Sequence, residues 1–143
     1  MMRFCEPAIP ERYWVNNNTY ECKQCGTIFD ILFPNGNDLV KFKEVEGYET
    51  KWMPSYGKGG YLDLMTKLLP GHSINDEITD KKARMFVKEL NKHCEQSENG
   101  REFDIDFANQ CCTHCGSGET KCISENVLTN PRLAWLKISC DLI

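Results

Sequence analysis

The chain has 143 residues, a net charge of −4 at neutral pH, and 27% charged and 10% aromatic residues. This length predicts a single domain, 1–143, because it is too short for two ordinary ones. The acidic balance argues against the basic surface of a general nucleic-acid-binding protein. No apolar run approaches the ~18 residues that a membrane-spanning helix needs. Residues 1–7 lack the apolar segment of a secretory signal, so we expect a cytoplasmic protein without a membrane segment.

The first third of the chain predicts short strands. Residues 1–19 contain two prolines and end in Asn16-Asn17-Asn18-Thr19, which indicates an irregular lead-in with a short extended piece at 13–15. Residues 27–33 are rich in β-branched and aromatic side chains and stop at a Pro-Asn-Gly turn, as a strand does. Residues 39–45 and 48–52 alternate in part and predict a hairpin around Glu46-Gly47.

Two helices are predicted in the middle of the chain, and two strands after them. Leucines recur at helical spacing in 61–69, until Pro70-Gly71 ends the pattern. The stronger helix covers 80–96, with an apolar stripe at Ala83, Phe86, Val87, Leu90 and Cys94. The candidates for its N-terminal cap are Ser73, Asp76 and Thr79. Residues 103–107 alternate as a strand, and 133–143 predict a buried terminal strand.

Nine cysteines are the most informative residues of the chain. Their odd number, without a signal peptide, argues against a framework of disulfides. Two stretches share the pattern C-x-x-C-G, namely Cys22-Lys23-Gln24-Cys25-Gly26 and Cys112-Thr113-His114-Cys115-Gly116. A tight turn lets both sulfurs of each pair point at one ion, and the glycine allows the backbone to close that turn.

Four thiolates in two such turns complete a tetrahedral site, which is the pattern of structural zinc. We therefore predict one Zn²⁺ held by Cys22, Cys25, Cys112 and Cys115, with no open position and no catalytic role. A redox pair is the first alternative, although a thioredoxin-like site needs only one such motif. Unrelated cysteines without a common ligand are the second.

At these residues, from Tyr20 to Phe29 and from Cys112 to Gly116, the chain resembles zinc-ribbon and rubredoxin-like proteins. The resemblance implies a metal site with local hairpins at 20–33 and 103–124, and the hairpin and helices of 39–97 inserted between them. The expected fold class is α+β, a split zinc ribbon with antiparallel strands and an inserted pair of helices. Rubredoxin-like proteins bind iron, which makes iron the rival metal. The long insertion favours zinc, because it suits a structural clamp better than a minimal electron carrier.

The double C-x-x-C-G pattern also resembles that of some bacterial immunity proteins. This second resemblance implies a small protein that neutralises a larger partner. It rests on the same two stretches as the first.

The remaining cysteines have simpler interpretations. Cys94 and Cys140 lie in apolar surroundings and are predicted to be small core residues. Cys111 adjoins the second motif and is predicted not to bind the metal, although it could replace Cys112 as a ligand. A second metal site made of Cys5, Cys111, Cys122 and His114 is a further alternative.

The sequence contains no complete catalytic set. We therefore predict no catalytic residues and no cofactor-binding residues. His72 lies in a loop, where functional residues often lie, but it has no obvious partner. His93 follows the apolar stripe near a helix end. A metal-dependent or histidine-using nuclease or hydrolase would need His72, Asn91 and His93 grouped around the metal, whereas the last two lie on the predicted helix.

The glycine-rich loop 56–61 could bind an anion, although it lacks the P-loop pattern and a simple turn is the plainer interpretation. Without an active site, the predicted function is that of a protein-interaction module with an unknown protein partner. We expect the partner surface at the hairpin 39–52 and the loop 57–61, with Trp52 either there or in the core. A nucleic-acid-binding ribbon is the alternative, and Lys81-Lys82-Ala83-Arg84 is its only basic cluster. We expect no strong nucleic-acid binding.

Overall fold

The computed structural model describes residues 2–107 and 110–143. It is an α+β protein with eight strands and two α-helices among these residues. The strands are β1 Phe4–Cys5, β2 Trp14–Cys22, β3 Ile28–Pro34, β4 Leu39–Glu44, β5 Thr50–Pro54, β6 Phe103–Ile105, β7 Thr120–Thr129 and β8 Ile138–Ser139. The helices are α1 Tyr61–Leu68 and α2 Asp80–Leu90, and a 3₁₀ turn covers Cys140–Leu142.

The strands form three antiparallel sheets, with the orders β3-β2-β7, β5-β4-β6 and β1-β8.

The predicted α+β class is confirmed, and so are the predicted strands that became β3, β4 and β6. The strand predicted at 48–52 begins two residues later, as β5. Strand β7 was not predicted, because its apolar and polar residues do not alternate regularly.

The first sheet contains the segment that the sequence predicted to be irregular. Asn16, Asn17 and Asn18 lie in β2, the central strand, and pair with β3 on one side and β7 on the other. The prediction of an irregular lead-in is therefore wrong over 16–19, whereas the extended piece predicted at 13–15 is confirmed for residues 14 and 15. Asparagine has a low strand propensity, but ladders on both sides satisfy the backbone of β2, and tertiary pairing overrides the local preference.

The second sheet packs its inner face on the helices. Phe42, Met53 and Phe103 are fully buried against Leu64 and Phe86 in the largest core cluster. The N-terminal cap of α2 is Thr79, whose hydroxyl accepts the Lys82 N–H.

Helix α2 ends at Leu90, so the prediction of a helix to residue 96 is wrong. The Asn91 amide explains this early end. It donates to the Val87 carbonyl and also bonds the backbone of Phe103 in β6. Cys94 is nevertheless buried in the main core, as predicted.

The C-terminal segment is only partly extended, so the prediction of a continuous strand at 133–143 is wrong. Trp135 bridges to Trp52 in parallel, and only Ile138–Ser139 forms a strand, β8. The chain then turns into the 3₁₀ segment, because its backbone bonds are made to Arg3 and to residues within the turn.

A disulfide joins Cys5 to Cys140. The expectation of no disulfides is wrong here, and Cys140 is not the free core cysteine that was predicted. The physical reason is the pairing of β1 with β8, which the sequence did not reveal. It places Cys5 opposite Ile138 and brings the two cysteine Cα atoms to 5.1 Å. Among the described residues, no helix is long and apolar enough to cross a membrane.

Candidate metal centre

The two C-x-x-C-G motifs form turns with the same hydrogen bonds. In the first, the Cys22 N–H donates to the Thr27 carbonyl and the Cys22 carbonyl accepts the Gly26 N–H, both at 2.9 Å. In the second, Cys112 makes the equivalent bonds to Ser117 at 2.8 Å and Gly116 at 2.9 Å. The shared spacing therefore produces two matching knuckles.

Each knuckle closes on a glycine with a left-handed backbone. Gly26 has φ 76° and Gly116 has φ 77°, a region that residues with a Cβ enter at a cost. An added Cβ at either position would meet no atom within 4 Å. Backbone conformation, rather than space, therefore explains the glycine in each motif.

The first sheet holds the two knuckles together. Cys22 is the last residue of β2 and pairs with Thr120 at the start of β7, directly after the second knuckle. In addition, the Lys23 N–H donates to the Glu119 carbonyl at 2.8 Å. Strand β7, which the sequence did not predict, therefore sets the distance between the two motifs.

The four sulfurs of Cys22, Cys25, Cys112 and Cys115 all lie within 4.8 Å of one another. The Cys22 and Cys115 sulfurs are 3.5 Å apart, and those of Cys25 and Cys112 are 3.6 Å apart. A tetrahedral ion with bonds of about 2.3 Å to sulfur would separate its ligands by about 3.8 Å. The four cysteines could therefore hold a metal ion, and among the described residues no other group of His, Cys, Asp and Glu is so placed.

Backbone N–H groups surround the buried sulfurs. The Cys25 N–H donates to Cys22 Sγ at 3.5 Å, and the His114 and Cys115 N–H groups donate to Cys112 Sγ at 3.4 and 3.5 Å. Cys22 is 1% exposed and Cys112 is 4% exposed, whereas Cys25 and Cys115 face solvent. These donors stabilise thiolates, the form that binds a metal.

The exposed cysteines have opposite pKa shifts. The side-chain hydrogen bond with Thr27, followed by the Thr27 backbone N–H, lowers the pKa of Cys25 to about 6. The Ser117 N–H also lowers the pKa of Cys115, but the neighbouring Cys22, Cys25 and Cys112 sulfurs and desolvation outweigh it and raise that pKa to about 12. Four thiolates so close together repel one another, and a bound cation removes this repulsion.

The structure separates the other predicted ligands. Cys112, not Cys111, belongs to the four-sulfur group, which answers the question of register in the second motif. Cys5 is bonded to Cys140 and Cys122 lies on β7, so the alternative site of Cys5, Cys111, Cys122 and His114 is wrong. The strand pairing that draws Cys5 to the C-terminus is the reason.

The histidines lie on separate parts of the chain. His72 is 9% exposed, and its Nδ1 lies 3.3 Å from the Lys82 ammonium nitrogen. The backbone carbonyl of His93 accepts the Ser139 N–H at 2.6 Å, and His114 is exposed in the second knuckle. The described residues therefore contain no histidine cluster of the kind a nuclease uses.

The glycine-rich loop before α1 has a backbone N–H group that is already hydrogen-bonded within the protein. The Gly59 N–H donates to the Asp63 carboxylate at 2.9 Å, so a side chain of the protein takes the place of an external anion. Trp52 is 2% exposed and Tyr61 packs edge-to-face on Phe86 at 4.9 Å. Both rings are therefore packed in the core, and Trp52 in addition lines a cleft beside the second knuckle.

A cleft of about 750 Å³ separates the second knuckle from the outer face of β4 and β5. Lys41, at its floor, donates to the Leu32 carbonyl at 2.8 Å and pairs with Asp106 at 3.4 Å. Since Lys41 is on the second sheet and Leu32 is on the first, this buried cation links the two sheets. The cleft also has Tyr48 and His114 at its border.

The chain matches no protein-family model, no curated protein and no solved structure among those compared.

Proposed function

We propose that the four cysteines hold one structural Zn²⁺ and that the sheet carrying the two knuckles is a split zinc ribbon. The chemistry of the donors supports this, since four thiolates leave no coordination position for water or substrate. Iron is the alternative metal, because four cysteines also bind it. Binding a dication to four thiolates would offset their mutual repulsion at the cost of releasing protons.

Native mass spectrometry and metal analysis test this proposal. We expect one zinc per chain, retained in Cys122→Ser and lost in Cys22→Ser, since only the second variant removes a sulfur of the group. Apparent zinc-binding energies of about 10–16 kcal/mol in small zinc domains predict unfolding of the knuckles on chelation. Iron in the purified protein, or zinc retained by Cys22→Ser, would contradict the proposal.

We propose further that the protein is a non-enzymatic interaction module of the immunity or adaptor kind. Tyr48 is the observation that carries this proposal: its side chain is 85% exposed at the turn between β4 and β5. It lines three adjoining concave surfaces, of about 490, 750 and 240 Å³. Exposed tyrosines beside concave surfaces are typical of binding hot spots.

The charge around Tyr48 supports a basic partner. Among the charged residues that line the two smaller surfaces, carboxylates predominate, namely Glu44, Glu46, Glu49, Glu98, Asp104 and Asp106. Lys43 and Arg101 are the basic residues there. With a net charge of −4, this surface would attract a positively charged partner by electrostatic steering.

The alternative functions have less support. A hydrolase would need an accessible base, and His72 is buried beside a lysine. A nucleic-acid-binding ribbon would need a basic face, and Lys82 in the only basic cluster is directed toward His72. We therefore propose that nucleic-acid binding is weak.

Affinity capture from the native host, combined with an activity screen, tests the interaction module. We expect a stable partner that is lost with Tyr48→Ser and kept with Tyr56→Ser, an exposed tyrosine outside the three surfaces. The screen covers nucleotides, phosphoesters and peptides. A specific turnover that is abolished by His72→Ala, without a stable partner, would overturn the proposal.

A further inference from the structure

A groove of about 330 Å³ lies between helix α2 and the outer edge of strand β6, away from the metal centre. Ala83 and Val87 line it from the helix, and Ile105 and Phe107 line it from the strand side. Phe107 is 78% exposed and adds an aromatic ring to the strand side of the groove. The groove therefore combines an apolar floor with the edge of a sheet.

The hydrogen-bond pattern of β6 shows which backbone groups face this groove. The Asp106 N–H donates to the Lys41 carbonyl of β4. Because the direction of the backbone groups alternates along a strand, the N–H and C=O groups of Asp104 and Asp106 point toward β4. The N–H and C=O groups of Phe103 and Ile105 point the other way, toward the open edge of the sheet. The Ile105 N–H accordingly bonds to the Asp104 carboxylate at 2.7 Å.

Asn91 demonstrates how this edge binds an amide. Its side-chain carbonyl accepts the Phe103 N–H at 3.0 Å, and its side-chain NH₂ donates to the Phe103 carbonyl at 2.8 Å. In an added antiparallel strand, the C=O and N–H of a single residue would make this pair of bonds. The next outward position along the edge, Ile105, opens onto the groove.

The charges at the groove favour a basic ligand. Asp80 and Asp104 line it together with Arg84, which leaves an excess of one carboxylate. Among the described residues, neither aspartate forms an ion pair within 4 Å. A lysine or arginine beside an apolar residue would therefore find both an apolar floor and a carboxylate.

We propose that this groove binds an extended segment of a partner protein by adding it as a strand to the edge of β6. The backbone of the segment bonds to the backbone of Ile105 and replaces the Asp104 side chain there. An apolar side chain of the segment inserts between Ala83 and Val87. A lysine or arginine of the segment lies beside Asp80. Strand addition to an exposed edge is a common mode of peptide recognition. The inference rests on the proposed interaction function. The groove does not include Tyr48, but it adjoins one of the surfaces beside Tyr48 and shares Asp104 and Ile105 with it.

Panning a phage-displayed library of random peptides against the zinc-loaded protein tests this inference. We expect enriched peptides with an apolar residue next to a lysine or arginine, and saturable binding of their synthetic forms. Two variants should each weaken that binding by about tenfold or more. Ile105→Pro removes an outward N–H without removing a bond to β4, and Ala83→Phe fills the groove.

Controls separate this inference from the proposed function. Met85→Ala, at an exposed position of α2 outside the groove, and Tyr48→Ser should leave peptide binding unchanged. Thermal unfolding and zinc content confirm that each variant folds, and amide shifts of Ile105 and Ala83 in the wild-type protein locate the peptide without any variant.

Three results would overturn the inference. The first is the absence of saturable peptides. The second is binding that depends on Tyr48 and not on Ile105 or Ala83, which would leave the proposed function intact. The third is a dimer in sedimentation that Ile105→Pro dissociates, because a second copy would then occupy the edge.

Discussion

Cys5 and Cys140 are separated by 135 residues and joined by a disulfide, beside the two-stranded sheet of β1 and β8. The bond fastens the N-terminal segment to the end of the chain. That segment packs on the main fold, since the Ala8 N–H donates to the Lys58 carbonyl at 2.9 Å. The same chain thus combines a disulfide with a group of thiols suited to a metal.

Removing this disulfide should destabilise the protein. The disulfide closes a long loop and so lowers the conformational entropy of the unfolded chain. Native disulfides typically contribute about 2–4 kcal/mol to the free energy of unfolding. We expect the double variant Cys5→Ser/Cys140→Ser to lower the free energy of unfolding in urea by that amount. Cys122→Ser is the control, because Cys122 is exposed on β7. An unchanged urea midpoint in the double variant would show that β1 and β8 alone hold the termini.

The glycine that closes each knuckle gives a second prediction. Gly116→Ala forces a residue with a Cβ into a left-handed backbone and should cost about 1–2 kcal/mol. Because the strain lies in the metal-binding turn, we expect weaker zinc retention against a chelator as well as a lower melting temperature. Gly118→Ala is the matched control, since Gly118 is in the same loop, has no positive φ and has open space around it. Equal losses in both variants would refute the conformational explanation.

The motifs were predictable because their chemistry is local. The spacing of Cys22 and Cys25 determines a turn, and the repetition of this spacing at Cys112 indicated a common ion. The disulfide was not predictable, since it depends on the pairing of β1 with β8 and not on any spacing of cysteines.

The strand β2 shows the same limit. Its asparagines indicate a loop locally, and only the ladders with β3 and β7 make them a central strand. The end of α2 also depended on a distant partner, because Asn91 ends the helix through its bonds to Phe103. Local pattern therefore predicted the knuckles, the strands β3, β4 and β6 and most of helix α2, whereas β2, the end of α2 and the disulfide depended on non-local pairing.

Cys94 should be unreactive in the folded protein. Burial, with a smaller contribution from Glu102, raises the pKa of its thiol to about 12, and the side chain is 5% exposed. The reactive thiolate is therefore scarce at about pH 8, where an ordinary cysteine titrates. We expect iodoacetamide to label Cys122, which is exposed, and to spare Cys94 until urea unfolds the chain. Mass spectrometry of tryptic peptides measures this, and rapid labelling of Cys94 in the native protein would contradict its burial.

Glu44 should make stability depend on acid pH. This carboxylate is 3% exposed in β4 and accepts hydrogen bonds from the Ser97 hydroxyl and the Asn99 amide. The Ser97 bond is the largest cause that lowers the pKa of Glu44 below its ordinary value. Because the folded pKa is the lower one, the carboxylate stabilises the fold above about pH 4.3, the ordinary pKa of glutamate. This contribution is lost as the pH falls through the folded value.

The comparison of Glu44→Gln with the wild-type protein isolates this contribution. We expect the variant to be less stable in urea at about pH 7, and the difference to shrink toward about pH 3 as the wild-type carboxylate becomes neutral. Glu46→Gln, at an exposed position of the same hairpin, should show little difference at either pH. Since any loss of metal in acid affects all three proteins alike, only the difference between them reports on Glu44. A difference that stays constant across this range would mean that the shape of the side chain, and not its charge, stabilises the fold.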